Sequence, residues 1–179
     1  LLTVEEGAVC KGEIGKLRRL YEMGVRMMTL TWNFENEIGF PNFIPEYKAE
    51  MMQARAEWKQ AVEECEQAEE KRMVAEVAFD RYFHTPNIHD GLTECGREIV
   101  AEMEILGMIP DVSHLSDAGF YDVLAVTKKP FVASHSNARV VSPAVRNMSD
   151  DMIRKLAERG GCMGLNYCAD FLEEQSFGV

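Results

Sequence analysis

Residues 107–136 read GMIPDVSHLSDAGFYDVLAVTKKPFVASHS. A short apolar run, Met108–Val112, gives way to a helical pattern opened by the capping pair Ser116-Asp117 and carried by Val123, Leu124 and Val126. A second apolar run, Pro130–Ser134, follows. Strand, helix and strand in that order form a βαβ unit, whose two strands run parallel. The same alternation extends in both directions. Upstream, Thr93-Glu94 opens a helix with Ile99, Val100, Met103, Ile105 and Leu106 on its apolar face, and Gly107 closes it. Before that, Ile14, Leu17, Leu20, Tyr21 and Met23 recur at helical spacing up to Gly24, between the β-prone starts Leu1–Val4 and Val25–Thr31. Downstream, Ser149-Asp150-Asp151 caps a helix with Met152, Ile153, Leu156 and Ala157, and Cys162–Asn166 reads as a fifth strand.

The predicted class is α/β with a parallel sheet whose short apolar strands are buried on both faces. Five such units suit an open doubly wound sheet or part of a (β/α)8 barrel. No strand is followed by GxGxxG or GxxxxGK[ST], which disfavours nucleotide-binding doubly wound folds. A whole barrel takes about 250 residues. The 179 residues are therefore expected to form one partial domain, 1–179: an incomplete (β/α)8 barrel of about five strands. The chain starts Leu1-Leu2-Thr3-Val4, without Met, and reads as a piece of something longer.

Segment 45–83 interrupts the alternation. From Glu46 to Arg81 it holds ten acids and six bases and no glycine or proline, so one long helix or a helical hairpin is expected. Met51, Trp58, Val62, Cys65, Met73 and Val77 give it a thin apolar seam. It reads as a solvated insertion leaning on the body, or as a lid or assembly arm.

The net charge of −11 makes nucleic acid an improbable partner, because an acidic surface repels phosphates. The longest uncharged run, Gly160–Ala169, is half of what a membrane span needs. Five scattered cysteines (Cys10, Cys65, Cys95, Cys162 and Cys168) show no CxxC spacing, which points to free thiols in a reducing, cytoplasmic setting.

Chemistry concentrates at one rim. His114 follows the strand ending at Val112, and His135 follows the strand ending at Ser134. Both belong at the carboxyl ends of parallel strands, the catalytic face of such folds. Glu5 and Glu6 follow the first strand on the same rim. A carboxylate and two imidazoles form a zinc-type donor set. Asp111, on the rim strand, is a candidate to support those ligands or to act as a plain turn residue. His84 and His89 sit in the exit from the charged segment and read as surface residues.

Several motifs occur in the order found in one family: Val4-Glu5-Glu6-Gly7, Gly24–Thr31, Gly91-Leu92-Thr93 with Gly96, Asp111–Ser116, Ser134–Ala138, and Arg146-Asn147 ahead of Asp150-Asp151. On these the chain resembles the membrane dipeptidase (renal dipeptidase-like) zinc peptidases, in a bacterial form. The resemblance implies a (β/α)8 barrel with a binuclear zinc centre that hydrolyses dipeptides. It implies that Glu5 bridges the metals, that His114 and His135 ligate the second one, and that Arg146 holds the substrate carboxylate. Trp32 stands where many members carry a histidine, which bears on substrate positioning. An HxD pair upstream and a rim aspartate downstream are absent from these residues, so one ion or none is expected here and the isolated chain is expected to be inactive. The open edges of five strands favour a homo-oligomer. Another amidohydrolase-like metal hydrolase, or a non-catalytic piece acting through its helical insertion, are the alternative readings.

Overall fold

The structure is a computed structural model that describes residues 1–64 and 66–173. Five parallel strands form one sheet: β1 (Leu2–Glu5), β2 (Val25–Thr29), β3 (Ile109–Asp111), β4 (Val132–Ser136) and β5 (Cys162–Leu165). Their spatial order is β1-β2-β3-β4-β5, the order of the chain. A sequential order has no point at which the winding reverses, so the sheet is an arc of the (β/α)8 type and not a doubly wound sheet.

The strand-to-strand connections carry α1 (Ile14–Glu22), a hairpin of α2 (Pro45–Glu64) and α3 (Ala68–His84), then α4 (Glu94–Leu106), α5 (Asp117–Val126) and α6 (Asp150–Glu158). Three helix starts are capped as the sequence requires. Thr93 accepts from Gly96 N, Ser116 from Gly119 N, and Ser149 from Met152 N. The main core is the layer of helices against the sheet: Leu17 of α1, Met28 of β2, Ile99 and Met103 of α4, Phe120 and Val123 of α5, Phe131 before β4, and Leu156 of α6. Met23 and Ile105 fit the helical spacing but stand 63% and 75% exposed, so the apolar stripes of α1 and α4 are narrower than their sequences suggest. Gly96 lets α4 start against the loop after β2, since a Cβ there would collide with Ile38 O.

The charged segment folds as a hairpin. Its helices meet through small residues, with Met51 and Ala54 of α2 against Ala75 and Ala78 of α3, flanked by Trp58, Phe79, Tyr82 and Phe83. The seam expected from Val62, Met73 and Val77 is not the buried one: these are 50%, 59% and 70% exposed. Alanines let two helices approach closely, and larger residues turn outward. Cys65 lies outside the described residues.

Candidate metal centre

Strand boundaries differ from the sequence reading by one or two residues, and the difference matters at the rim. Glu5 is the last residue of β1, and His135 lies inside β4. His114 follows β3 by three residues, at φ 72°. That left-handed conformation is strained for a histidine. It is held by a turn in which Leu115 N donates to Val112 O (3.1 Å), and by Asn42 N donating to His114 O (2.9 Å).

The three side chains converge. Glu5 Oε1 is 3.7 Å from His114 Nε2 and 3.7 Å from His135 Nε2. The two Nε2 atoms are 2.8 Å apart. Each ring is fixed through its other nitrogen. His114 Nδ1 lies 2.8 Å from Asn33 Oδ1, an acceptor, so Nδ1 carries the proton. His135 Nδ1 lies 2.8 Å from Ser134 Oγ, whose own proton goes to Asp111 Oδ2 (2.5 Å), so this Nδ1 also donates. Both Nε2 atoms thus present lone pairs to each other and to a carboxylate. Lone pairs at that separation repel unless a cation lies between them. The donor set, two neutral imidazoles and one carboxylate, suits a borderline divalent metal. Burial reinforces the neutral state: it pushes His114 down to about 2, with Arg146 and His135 adding to the effect, and it lowers His135 as well.

Asp111 is fully buried and accepts four hydrogen bonds. Oδ1 takes Ser113 N (3.0 Å) and Ser134 N (2.9 Å); Oδ2 takes Thr29 Oγ1 (2.7 Å) and Ser134 Oγ. It therefore ties β2, β3 and β4 together behind the histidines. Glu6 is separated from Glu5. Its carboxylate accepts from Ala8 N, Trp32 N and Asn36 Nδ2, so it braces the loop after β1 instead of facing the cluster.

Arg146 follows β4 and is 4% exposed. Its Nε has no hydrogen-bond partner among the described residues, and one terminal nitrogen makes only a 3.4 Å contact to His135 O. Burial lowers its pKa to about 10, against the opposing pull of Asp111 and Glu5. A buried guanidinium with unused donors is suited to an anionic group. The loop that carries it is braced by Arg139, which makes a two-pronged ion pair with Asp117 (2.7 Å each). Asn42 adds to the brace through Asp117 Oδ1 (2.8 Å) and Val145 O (2.7 Å). The Trp32 ring centroid is 6.1 Å from that of His114. His84 pairs with Asp80 one turn earlier on α3 and is not among the three converging side chains.

The hydrogen-bonding roles of Asn33, Thr29 and Ser134 are not legible in the sequence, although Thr29 and Ser134 lie within quoted motifs. Asn33 follows Trp32 at the end of the second strand, and Ser134 precedes a histidine, but neither spacing shows what a hydroxyl or amide will touch. Asp117 reads as a helix cap, and nothing in the sequence shows that it pairs with Arg139, 22 residues away.

A model of the family described as "Membrane dipeptidase (Peptidase family M19)" matches residues 67–178, more than half of the chain. An uncharacterized protein of the pqqA 5' region of Klebsiella pneumoniae is 35% identical over 88 residues, 49% of this chain and 32% of that protein. An uncharacterized dipeptidase of Schizosaccharomyces pombe is 39% identical over 84 residues, 47% of this chain and 20% of that protein. The chain thus spans a third or less of the curated relatives it matches. Among solved structures, a metallopeptidase from Rhodobacter sphaeroides, liganded with a phosphinate mimic of L-Ala-D-Ala, superposes with a TM-score of 0.68 at 27% identity. That superposition covers 95% of this chain and 38% of the other, so it extends well beyond residues 67–178 of the family match.

Proposed function

The chain belongs to the membrane dipeptidase family, and from that premise we propose that it contributes the Glu-His-His half of a binuclear zinc centre to an enzyme that hydrolyses dipeptides. One observation carries the reading: the Nε2 atoms of His114 and His135 and the Glu5 carboxylate meet at one rim point, within 4.8 Å of one another.

Glu5, His114 and His135 would hold one ion, with Glu5 also turned toward a second. Bound there, zinc lowers the pKa of a coordinated water and polarises a substrate carbonyl. The chain's own residues do the rest. Asn33 and the Asp111–Ser134 relay fix the tautomers that leave both Nε2 atoms free to bind. Arg146 takes the free carboxylate of the substrate as a bidentate donor, which selects short peptides ending there. Trp32 forms a wall beside His114. Activity belongs to the complete protein, and the isolated residues 1–179 are proposed to be inactive and to associate through the strand edges of β1 and β5. Cys10, Cys95, Cys162 and Cys168 are free thiols, which supports a reducing compartment such as the cytoplasm. No helix among the described residues is long and apolar enough to cross a membrane.

The test uses the complete protein loaded with zinc and an unmodified dipeptide such as Ala-Gly. Stoichiometric zinc and turnover are expected, with His135→Ala losing one metal and nearly all activity. A zinc-loaded protein that cleaves no dipeptide would end this reading.

A further inference from the structure

Arg146 is buried, yet among the described residues its guanidinium makes only the long contact to His135 O. No side-chain hydrogen bond therefore places it. Its position is inherited from the backbone, and the residue before it is held at both polar atoms. Val145 N donates to Phe83 O at the end of α3 (2.8 Å). Val145 O accepts from Asn42 Nδ2 (2.7 Å) and, at 3.2 Å, from Arg139.

Asn42 is 3% exposed and reaches in two directions. Its Nδ2 donates to Asp117 Oδ1 (2.8 Å) as well as to Val145 O, so both amide protons are used. Its Oδ1 accepts from Asn87 N (2.9 Å). Its backbone N donates to His114 O (2.9 Å). The segment that carries it is laid along residues 114–116 in a fixed register: Ser116 N donates to Phe40 O (3.0 Å), and Pro41 stands opposite Leu115 in an antiparallel bridge. One residue thus joins a proposed metal ligand, through its backbone, to the residue before Arg146, through its side chain.

Those are the two points a dipeptide has to span in the reading above, with its carbonyl at the metal beside His114 and its carboxylate at Arg146. Misplacement by about 1 Å can cost on the order of a hundredfold in rate. We propose that Asn42 is a positioning residue: it sets the span between His114 and Arg146, and so fits the site to substrates whose free carboxylate lies one residue beyond the scissile carbonyl. The inference rests on the dipeptidase reading and on the role given there to Arg146. Its two links are separable. The bond to His114 is a backbone bond and survives loss of the side chain, whereas the bonds to Val145 O and Asp117 do not. A side-chain variant therefore disturbs Arg146 and spares the metal ligands.

The experiment compares Ala-Gly with its carboxamide, Ala-Gly-NH2, as substrates of the complete zinc-loaded protein. The parent should prefer the free acid. In Asn42→Ala this preference in kcat/KM should fall by roughly tenfold, chiefly through a raised KM for Ala-Gly, while zinc content stays at the parent stoichiometry. Asn42→Asp keeps the size of the side chain and the acceptor for Asn87 N but removes both donated bonds. It should lower the preference likewise, and it carries the test where Asn42→Ala does not fold. An unchanged preference in the variants, or a loss of zinc in place of a loss of preference, would overturn the positioning role and leave the peptidase reading intact. Equal rates on the two substrates in the parent would remove Arg146 from carboxylate binding, and the role of Asn42 with it. A parent that cleaves no dipeptide overturns the peptidase reading itself.

Discussion

The rim behind the histidines and the hairpin of α2 and α3 solve opposite problems. At the rim, polar atoms are buried and almost each has a named partner. Asp111 alone accepts four hydrogen bonds, and His114 is held in a strained backbone conformation. The hairpin buries alanines and a few aromatic faces, and its charges pair in solvent, as Lys71 does with Glu57 (2.7 Å) and Arg81 with Glu50 (3.0 Å). Exposed pairs of this kind contribute little. A rim substitution therefore leaves several groups unpaired at once, whereas a hairpin substitution leaves water to replace what was lost.

Removing the centre of the rim should have the largest effect. Asp111→Ala strands two hydroxyls and two backbone N–H groups in the interior and should cost about 3 kcal/mol or more. Denaturant unfolding checks it. A loss no larger than that of a surface substitution would mean that the relay does not hold the strands together.

Acid comes next, measured on chelator-treated protein. The folded pKa of His114 is depressed to about 2, below the ordinary 6.5. The unfolded chain therefore takes up the proton first. This contribution to stability is complete above pH 6.5 and is lost as the pH falls from there toward 2. At pH 5 the loss should be about 2 kcal/mol from this group, and His135, shifted the same way, adds to it. A stability that stays flat between pH 7.5 and 5 would show that the rings are not buried as neutral groups. His114→Asn should remove much of the pH dependence, and it also suits the left-handed backbone better.

Arg146 sharpens the comparison, because function and stability should separate there. Arg146→Met removes a buried charge whose Nε has no hydrogen-bond partner among the described residues. It should raise stability by about 1 kcal/mol while raising KM for dipeptides roughly tenfold or more, with kcat less affected. An unchanged KM would remove Arg146 from carboxylate binding. The smallest effect belongs to the hairpin. Lys71→Ala breaks the pair with Glu57 and should shift the melting temperature by no more than about 2 °C. A larger shift would mean that the hairpin is held by its charges and not by the alanine seam.

Much of the architecture was legible in the chain. Capping residues at Thr93, Ser116 and Ser149, apolar runs of strand length and glycines at helix ends are local signals, and the element order follows from them. Histidines placed after two successive strands, with an acid at the first, brought three residues to one rim, because parallel strands carry their carboxyl ends to the same side. The hairpin's buried seam was not legible: helical periodicity marks which residues are apolar, but the depth of helix contact decides whether valine or alanine is enclosed.

What the sequence determined by itself is therefore the alternation of strands and helices and the side of the sheet on which Glu5, His114 and His135 lie. Tertiary structure alone decided the rest. It put Asn33 on one imidazole and the Ser134–Asp111 relay on the other, so that both free nitrogens face Glu5. It sent Glu6 away to brace a loop, buried Arg146, and hung the residue before it between Asn42 and the hairpin's Phe83. Hydrogen bonds act over about 3 Å, and residues 82 apart in the chain, such as Thr29 and Asp111, come that close only after the strands between them have been placed side by side.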